Sequence, residues 1–198
     1  VSAGNIESLD VDSEDYLESC KANTVKSPAQ AWNALTVGAY TEKTIFNNNI
    51  YKAIAAPGGV SPYSRSSWMW HYKCNKPEIV MEGGNVVSDQ YGITWSHNEV
   101  SLVTTNADLS EPLETFQATS AATALAARLA AKIKTNNPRL SMLSVRGLIV
   151  HAAHWTGEMN RIQNLDERMS LCGYGVPNEE LALFSNEKCA TYIFENSL

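Results

Sequence analysis

Apolar positions along the chain fall into short runs separated by turn residues, and two periodicities alternate. Ala34 to Ala39 (Ala-Leu-Thr-Val-Gly-Ala) is apolar and partly β-branched, the pattern of a buried strand. Ile79-Val80-Met81, entered through Lys76-Pro77-Glu78 and closed by Gly83-Gly84-Asn85, predicts a second strand, and Val100 to Thr104 a further one. Val1 to Asn5 reads as the end of a buried strand breaking into a loop. Between these runs, Asn47-Asn48-Asn49 and Ala56-Pro57-Gly58-Gly59 carry turn chemistry, so residues 44–62 are expected to form a surface insertion. The pattern becomes helical from Ser120 or just after it to about Lys134, where alanine dominates and Leu125, Leu129 and Ile133 recur at four-residue spacing. Asn136-Asn137-Pro138 stops this helix, and further helices are expected over residues 141–153 and 179–183. Short strands mixed with longer helices predict an α/β fold.

Composition narrows the function classes. With 198 residues and 44% apolar content the chain can bury a single-domain core. Fifteen Lys and Arg against twenty-one Asp and Glu give a net charge of −6, without a basic run. That balance lacks the electrostatic footprint of a nucleic-acid-binding protein. No apolar stretch approaches the roughly 18 residues that cross a bilayer, so no membrane partner is expected. Cys20, Cys74, Cys172 and Cys189 are scattered, and no Asn-x-Ser/Thr sequon occurs. Free thiols in a reducing, cytoplasmic compartment are therefore the expectation, although the chain starts at Val1 and its true N-terminus is not represented.

Most motif-like spacings dissolve on inspection. No Gly-x-x-x-x-Gly-Lys-[Ser/Thr] phosphate loop and no Gly-x-Ser-x-Gly elbow is present. Gly173-Tyr174-Gly175 opens like a dinucleotide fingerprint, but Asn178 stands at the third glycine position, and a glycine turn before a helix accounts for it better. Ser185-Asn186-Glu187-Lys188 matches Ser-x-x-Lys in a polar context that suggests a loop. Asp10, Asp12, Glu14 and Asp15 begin like a calcium loop without its turn glycine or closing glutamate, and read as a solvated loop or helix start. His151 and His154 lack further ligands for zinc and are expected to be packed and hydrogen-bonded. No metal site is assigned.

One constellation carries chemistry. Thr119-Ser120 stands where a loop meets the N-terminus of the alanine-rich helix. Free N–H groups and the positive end of the helix dipole surround a serine placed there, and such donors stabilise the oxyanion of an attacked carbonyl. Ser120 as a plain N-cap is the competing reading.

Several separated segments, in order, resemble the subtilisin-like serine peptidases, or subtilases. Gln117 to Ala124 is similar to the family's nucleophile motif G-T-S-x-A-x-P, and Val1 to Asn5 resembles the A-x-G-N segment. Ala34 to Ala39 resembles the strand ending in V-G-A, Tyr63 to Ser67 the F-S-S-x-G region, and Lys76 to Gly83 the segment K-P-D-[IV]-x-A-P-G. Val145 to Val150 and Gly173 to Asn178 are similar to the later helix and the G-x-G-x-[IV]-[ND] turn. The resemblance spans about residues 1–183 and leaves 184–198 as a C-terminal extension. Ala118 replaces the glycine before Thr-Ser, Ala124 the helix proline, and Met81-Glu82-Gly83 the A-P-G. The family's D-[ST]-G and H-G-T-x-[VC]-A motifs do not occur, and none of His71, His97, His151 or His154 sits in a matching one.

The resemblance implies the C-terminal portion of one subtilase domain, with a three-layer arrangement around a mostly parallel sheet. It implies Ser120 as nucleophile and Asn5 as oxyanion donor, with Ser2, Ala3, Gly4 and Thr119 at the substrate. The triad aspartate and histidine would come from an upstream part of the same domain, leaving the isolated chain inactive. Peptide or protein would be the substrate. No cofactor is implied; calcium is common in the family, but no complete ligand set shows. A non-catalytic, subtilase-like binding module is the rival reading.

Overall fold

The computed structural model describes residues 1–45, 50–71, 74–184 and 191–195. Asn47 to Asn49, the Ser185–Lys188 pattern and Cys189 lie outside the described residues.

The acidic stretch forms a turn and a helix start. Asp12 Oδ1 accepts from the N–H groups of Glu14 and Asp15, and Asp15 then caps α1 (Tyr16–Ala22) by accepting from Glu18 N–H. The centre of the fold is the strand β1 (Val37–Thr41). Two short strands follow, β2 (Lys52–Ala53) and β3 (Gly59–Val60). Next comes β4 (Ile79–Glu82), paired parallel to β1 with Val37 opposite Ile79 and Tyr40 opposite Glu82. Ser2 joins β1 on its other edge through a parallel bridge to Val37, with Ala3 N–H donating to Val37 O at 2.9 Å. Three neighbouring segments thus run parallel, and β3 adds antiparallel at the end of β1. The remaining ladders are antiparallel: β5 (Val86–Ser88) with β2 and β6 (Thr94–Ser96), and the hairpin β7 (Leu102–Thr105) with β8 (Leu113–Phe116). The mostly parallel expectation therefore holds for the central segments but not for the outlying ones. Residues 59–62 are buried, and Gly59 and Val60 pair with β1, so the end of the 44–62 segment does not lie on the surface.

Alternation along β1 and β4 sends side chains to two layers. Val37, Ala39 and Ile79 face α2 (Ala118–Asn136) and α3 (Met142–His151), where they meet Ala122, Ala126, Leu129, Ile133, Val145 and Ile149. Tyr40 and Val80 face the opposite layer with Ile6, Cys20, Met159, Leu171 and Cys172. That layer includes α1 and α4 (Leu165–Cys172), a helix not anticipated from the hydrophobic pattern. The result is helix, sheet, helix. A strand pair, β9 (Ala153–His154) with β10 (Val176–Pro177), and α5 (Glu179–Leu183) complete the chain. No described helix is long and apolar enough to cross a membrane.

The Gly173-Tyr174-Gly175 turn is a close-packing device. A Cβ on Gly173 would lie 2.3 Å from the carbonyl oxygens of Pro77 and Glu78, and one on Gly175 would lie 2.2 Å from His154 O. Asn178 caps α5 by accepting from Leu181 N–H at 2.9 Å. Where β4 begins, Lys76 is buried: its ammonium shares three protons among Ala31 O, Ala34 O, Thr36 Oγ1 and Glu78 Oε1, all at 2.7–3.0 Å. Arg146 from α3 shares Glu78 Oε1 at 2.8 Å, tying the helix layer to the sheet.

Candidate active site

The alanine-rich helix starts two residues earlier than the pattern indicated. Gln117 is its N-cap and makes no side-chain cap bond, so Ser120 is the third helical residue and not a cap. Two of the exposed donors of the first turn are met from far away in sequence. Ala118 N–H donates to Gly83 O at 2.7 Å, and Thr119 N–H donates to Asn5 Oδ1 at 3.0 Å. Ser120 N–H has no acceptor among the described residues, and Ser120 is exposed. A free amide at the positive end of a 19-residue helix stands beside an exposed hydroxyl.

A relay of hydrogen bonds orients Asn5. Thr119 Oγ1 donates to Asn5 Oδ1, so its single proton is committed. Ser2 Oγ therefore donates to Thr119 Oγ1 at 2.6 Å, and Gly4 N–H donates to Ser2 Oγ at 3.3 Å. With Oδ1 facing two donors, the Asn5 Nδ2 group is the end left without a partner among the described residues. The backbone of Asn5 is held as well. It bridges to Ser64, and Arg65 Nε donates to its carbonyl at 2.8 Å.

Each expected site residue now has a place. Asn5, Thr119 and Ser120 come together across 114 residues of sequence. Ser2 and Gly4 are partly exposed beside them. Thr119 is 0% exposed with its hydroxyl engaged, and the Ala3 side chain is turned inward against Val25 and Ala29, also at 0%. Both side chains are thus turned into the fold rather than to the surface. The sequence reading gave no role to Ser64 or Arg65, which fix Asn5, although a cation inside a serine-rich segment of an acidic chain was a signal. The altered segments also have local explanations. Ala118 adopts φ +68°, the left-handed region that its family counterpart glycine occupies without cost. Glu82, in place of proline, accepts from Gly84 N–H and Glu42 N–H at 2.7 Å each. Gly83 is required by close approach, since a Cβ there would stand 2.5 Å from Ala39 Cβ and 3.0 Å from Ala118 O.

Among the described residues the histidines and cysteines form no second site. His151 and His154 are exposed rather than packed, because α3 ends at the surface. Ser120 makes no hydrogen bond to a described histidine. Burial pushes the Cys20 thiol up to about 12 and raises that of Cys172, leaving both as inert core groups. No set of three or more metal-binding side chains comes together among the described residues.

A parallel-centred α/β sandwich with a serine in the first turn of its longest helix defines a serine-peptidase type of fold. The chain belongs to the subtilase family, whose model matches residues 1–176. Among solved structures it is similar to a protease of Pseudoalteromonas arctica, at 16% identity and a TM-score of 0.54, covering 92% of this chain and 40% of that one. It is also similar to MycP1 of the ESX-1 type VII secretion system, at 19% identity and a TM-score of 0.49, covering 94% and 42%, and to MycP1 of Mycobacterium smegmatis, at 18% and 0.47, covering 100% and 45%. The chain thus spans less than half the length of these structures. No curated protein matches it.

Proposed function

We propose that this chain is the nucleophile-bearing portion of a serine endopeptidase. Ser120 Oγ attacks a peptide carbonyl and forms an acyl-enzyme, while Asn5 Nδ2 and Ser120 N–H hold the developing oxyanion. The observation that carries this reading is the Gly4–Ser2–Thr119–Asn5 relay, which leaves one side-chain donor and one backbone donor uncommitted beside an exposed serine. Each donor to a charged oxygen contributes about 1.5–3 kcal/mol, roughly one to two powers of ten in rate. The general base and the aspartate that orients it come, in this reading, from an upstream part of the domain. The backbone N–H and C=O of Ser2 point away from β1 without partners among the described residues, and such an edge accepts a further strand. An apolar groove of about 270 Å³ beside it, lined by Val1, Leu35, Val37, Ala127 and Ala130, offers the same partner a packing surface.

Ala118 favours a second reading, a subtilase-like module that binds without cleaving. Its φ of +68° strains the turn that delivers Ser120. Fluorophosphonate labelling of the full-length protein, with the modified peptide mapped by mass spectrometry, separates the two. An adduct on Ser120 that is lost in Ser120→Ala supports the peptidase. A folded protein without adduct refutes it and leaves the binding module. The 198-residue chain alone is expected to leave casein intact; turnover by it would overturn the need for an upstream base.

A further inference from the structure

The ground beside Asn5 is cationic in a chain whose net charge is −6. Gly4 immediately precedes Asn5 and has φ +91°. A Cβ on it would stand 3.2 Å from Arg65 Cδ and 3.2 Å from Lys26 Cβ and Cγ, so two cationic side chains lay their aliphatic stems against this glycine. Arg65 is anchored, its Nε donating to Asn5 O at 2.8 Å and its Nη1 to Thr24 O at 3.1 Å. Lys26 is fixed at its backbone, whose N–H donates to Ala3 O at 3.1 Å. Its side chain is exposed, and its ammonium meets no acceptor among the described residues. Glu7, exposed on the same loop, is the acid whose charge acts on Arg65.

A carbonyl oxygen held about 3 Å from Asn5 Nδ2 brings the substrate residue that carries it close to Gly4. The Cα of that residue is one bond from the carbonyl carbon, so its side chain starts near Gly4, against which the stems of Lys26 and Arg65 lie. We propose that the protein cleaves preferentially after residues bearing a carboxylate, with the Lys26 ammonium as the group that meets it and Arg65 adding to the local field. This rests on the assignment of Ser120 and Asn5 given above.

The test uses the full-length protein and peptides identical except for Glu, Gln or Lys before the scissile bond. Because Lys26 is exposed, kcat/KM for Glu should exceed that for Gln by a modest factor, about threefold to fivefold. The ratio should shrink at high salt, and Lys26→Glu should invert the series in favour of Lys. Ratios within one variant are insensitive to how much of the sample is folded. Equal cleavage of the Glu and Gln peptides, or a ratio unmoved in Lys26→Glu, overturns the proposal even where fluorophosphonate labels Ser120. A folded protein whose Ser120 is not labelled overturns the nucleophile assignment and this preference with it, so labelling distinguishes the two failures.

Discussion

Lys76→Met tests whether the caged ammonium holds the helix layer to the sheet. The Lys76 side chain is 3% exposed and that of Glu78 10%, so the pair is shielded from water. Truncating one partner of a buried ion pair costs about 3–5 kcal/mol, because the other charge stays behind. Two features place this case at the lower end. Arg146 still meets Glu78 Oε1 at 2.8 Å, and Thr36 N–H still donates to Oε2 at 2.6 Å. Ala31 and Ala34 are also not buried, so water can solvate their freed carbonyls. About 3 kcal/mol is expected, which lowers Tm by roughly 6–12 °C in a protein of this size. Thermal and urea unfolding of the full-length protein, followed by far-ultraviolet circular dichroism, gives the shift. The double variant Lys76→Met/Glu78→Gln removes the stranded charge while keeping one acceptor oxygen, for either Arg146 or Thr36. It should lie closer to wild type than the sum of the two single variants, with at least about 1 kcal/mol of coupling. A shift below about 2 °C for Lys76→Met, or strict additivity, would refute the reasoning.

Asn5→Asp keeps an acceptor for Thr119 and removes the free Nδ2 donor, so kcat should fall about 100-fold or more with little change in Tm; unchanged kcat would remove Asn5 from the oxyanion site. Gly83→Ala places a methyl 2.5 Å from Ala39 Cβ and 3.0 Å from Ala118 O, and should both destabilise the protein by about 1–3 kcal/mol and slow fluorophosphonate labelling. Wild-type stability in this variant would mean that the start of α2 yields freely. At pH 8 a thiol raised to about 12 is about one part in ten thousand thiolate, so Cys20 should resist iodoacetamide until the protein unfolds while the partly exposed Cys74 is alkylated. Mass-spectrometric mapping of the first adduct decides it, and early modification of Cys20 would contradict its burial.

What could be read from residue order alone was what local chemistry dictates. The alanine-rich helix, the strand before Gly83 and the glycine turn at 173–175 each declare themselves within a dozen residues. α4 left a weaker trace: Asn164 accepts from the N–H groups of Asp166 and Glu167, a cap with acids in the first turn, but the helix has little apolar periodicity. The relay at Asn5 and the cage at Lys76 were out of reach, because their partners lie 114 and about 40 residues away and no local pattern encodes such pairings. The histidines at 151 and 154 were misjudged because helix periodicity says nothing about where a helix emerges from the core. Resemblance supplied Ser120 and Asn5; the hydrogen bonds supplied Thr119 as their common anchor.

Because Thr119 donates both its amide and its hydroxyl to Asn5, the N-terminus of α2 is completed only when the first residues of the described fold are already in place. Loop-closure entropy must be overcome before a contact of such span contributes. A partly folded chain could hold a well-formed α2, with Ser120 exposed, and still lack an aimed donor for an oxyanion. Under the proposed assignment of Ser120 as nucleophile, competence at this serine would report completed folding, and a nascent or misfolded molecule would carry a nucleophile with nothing to cut with.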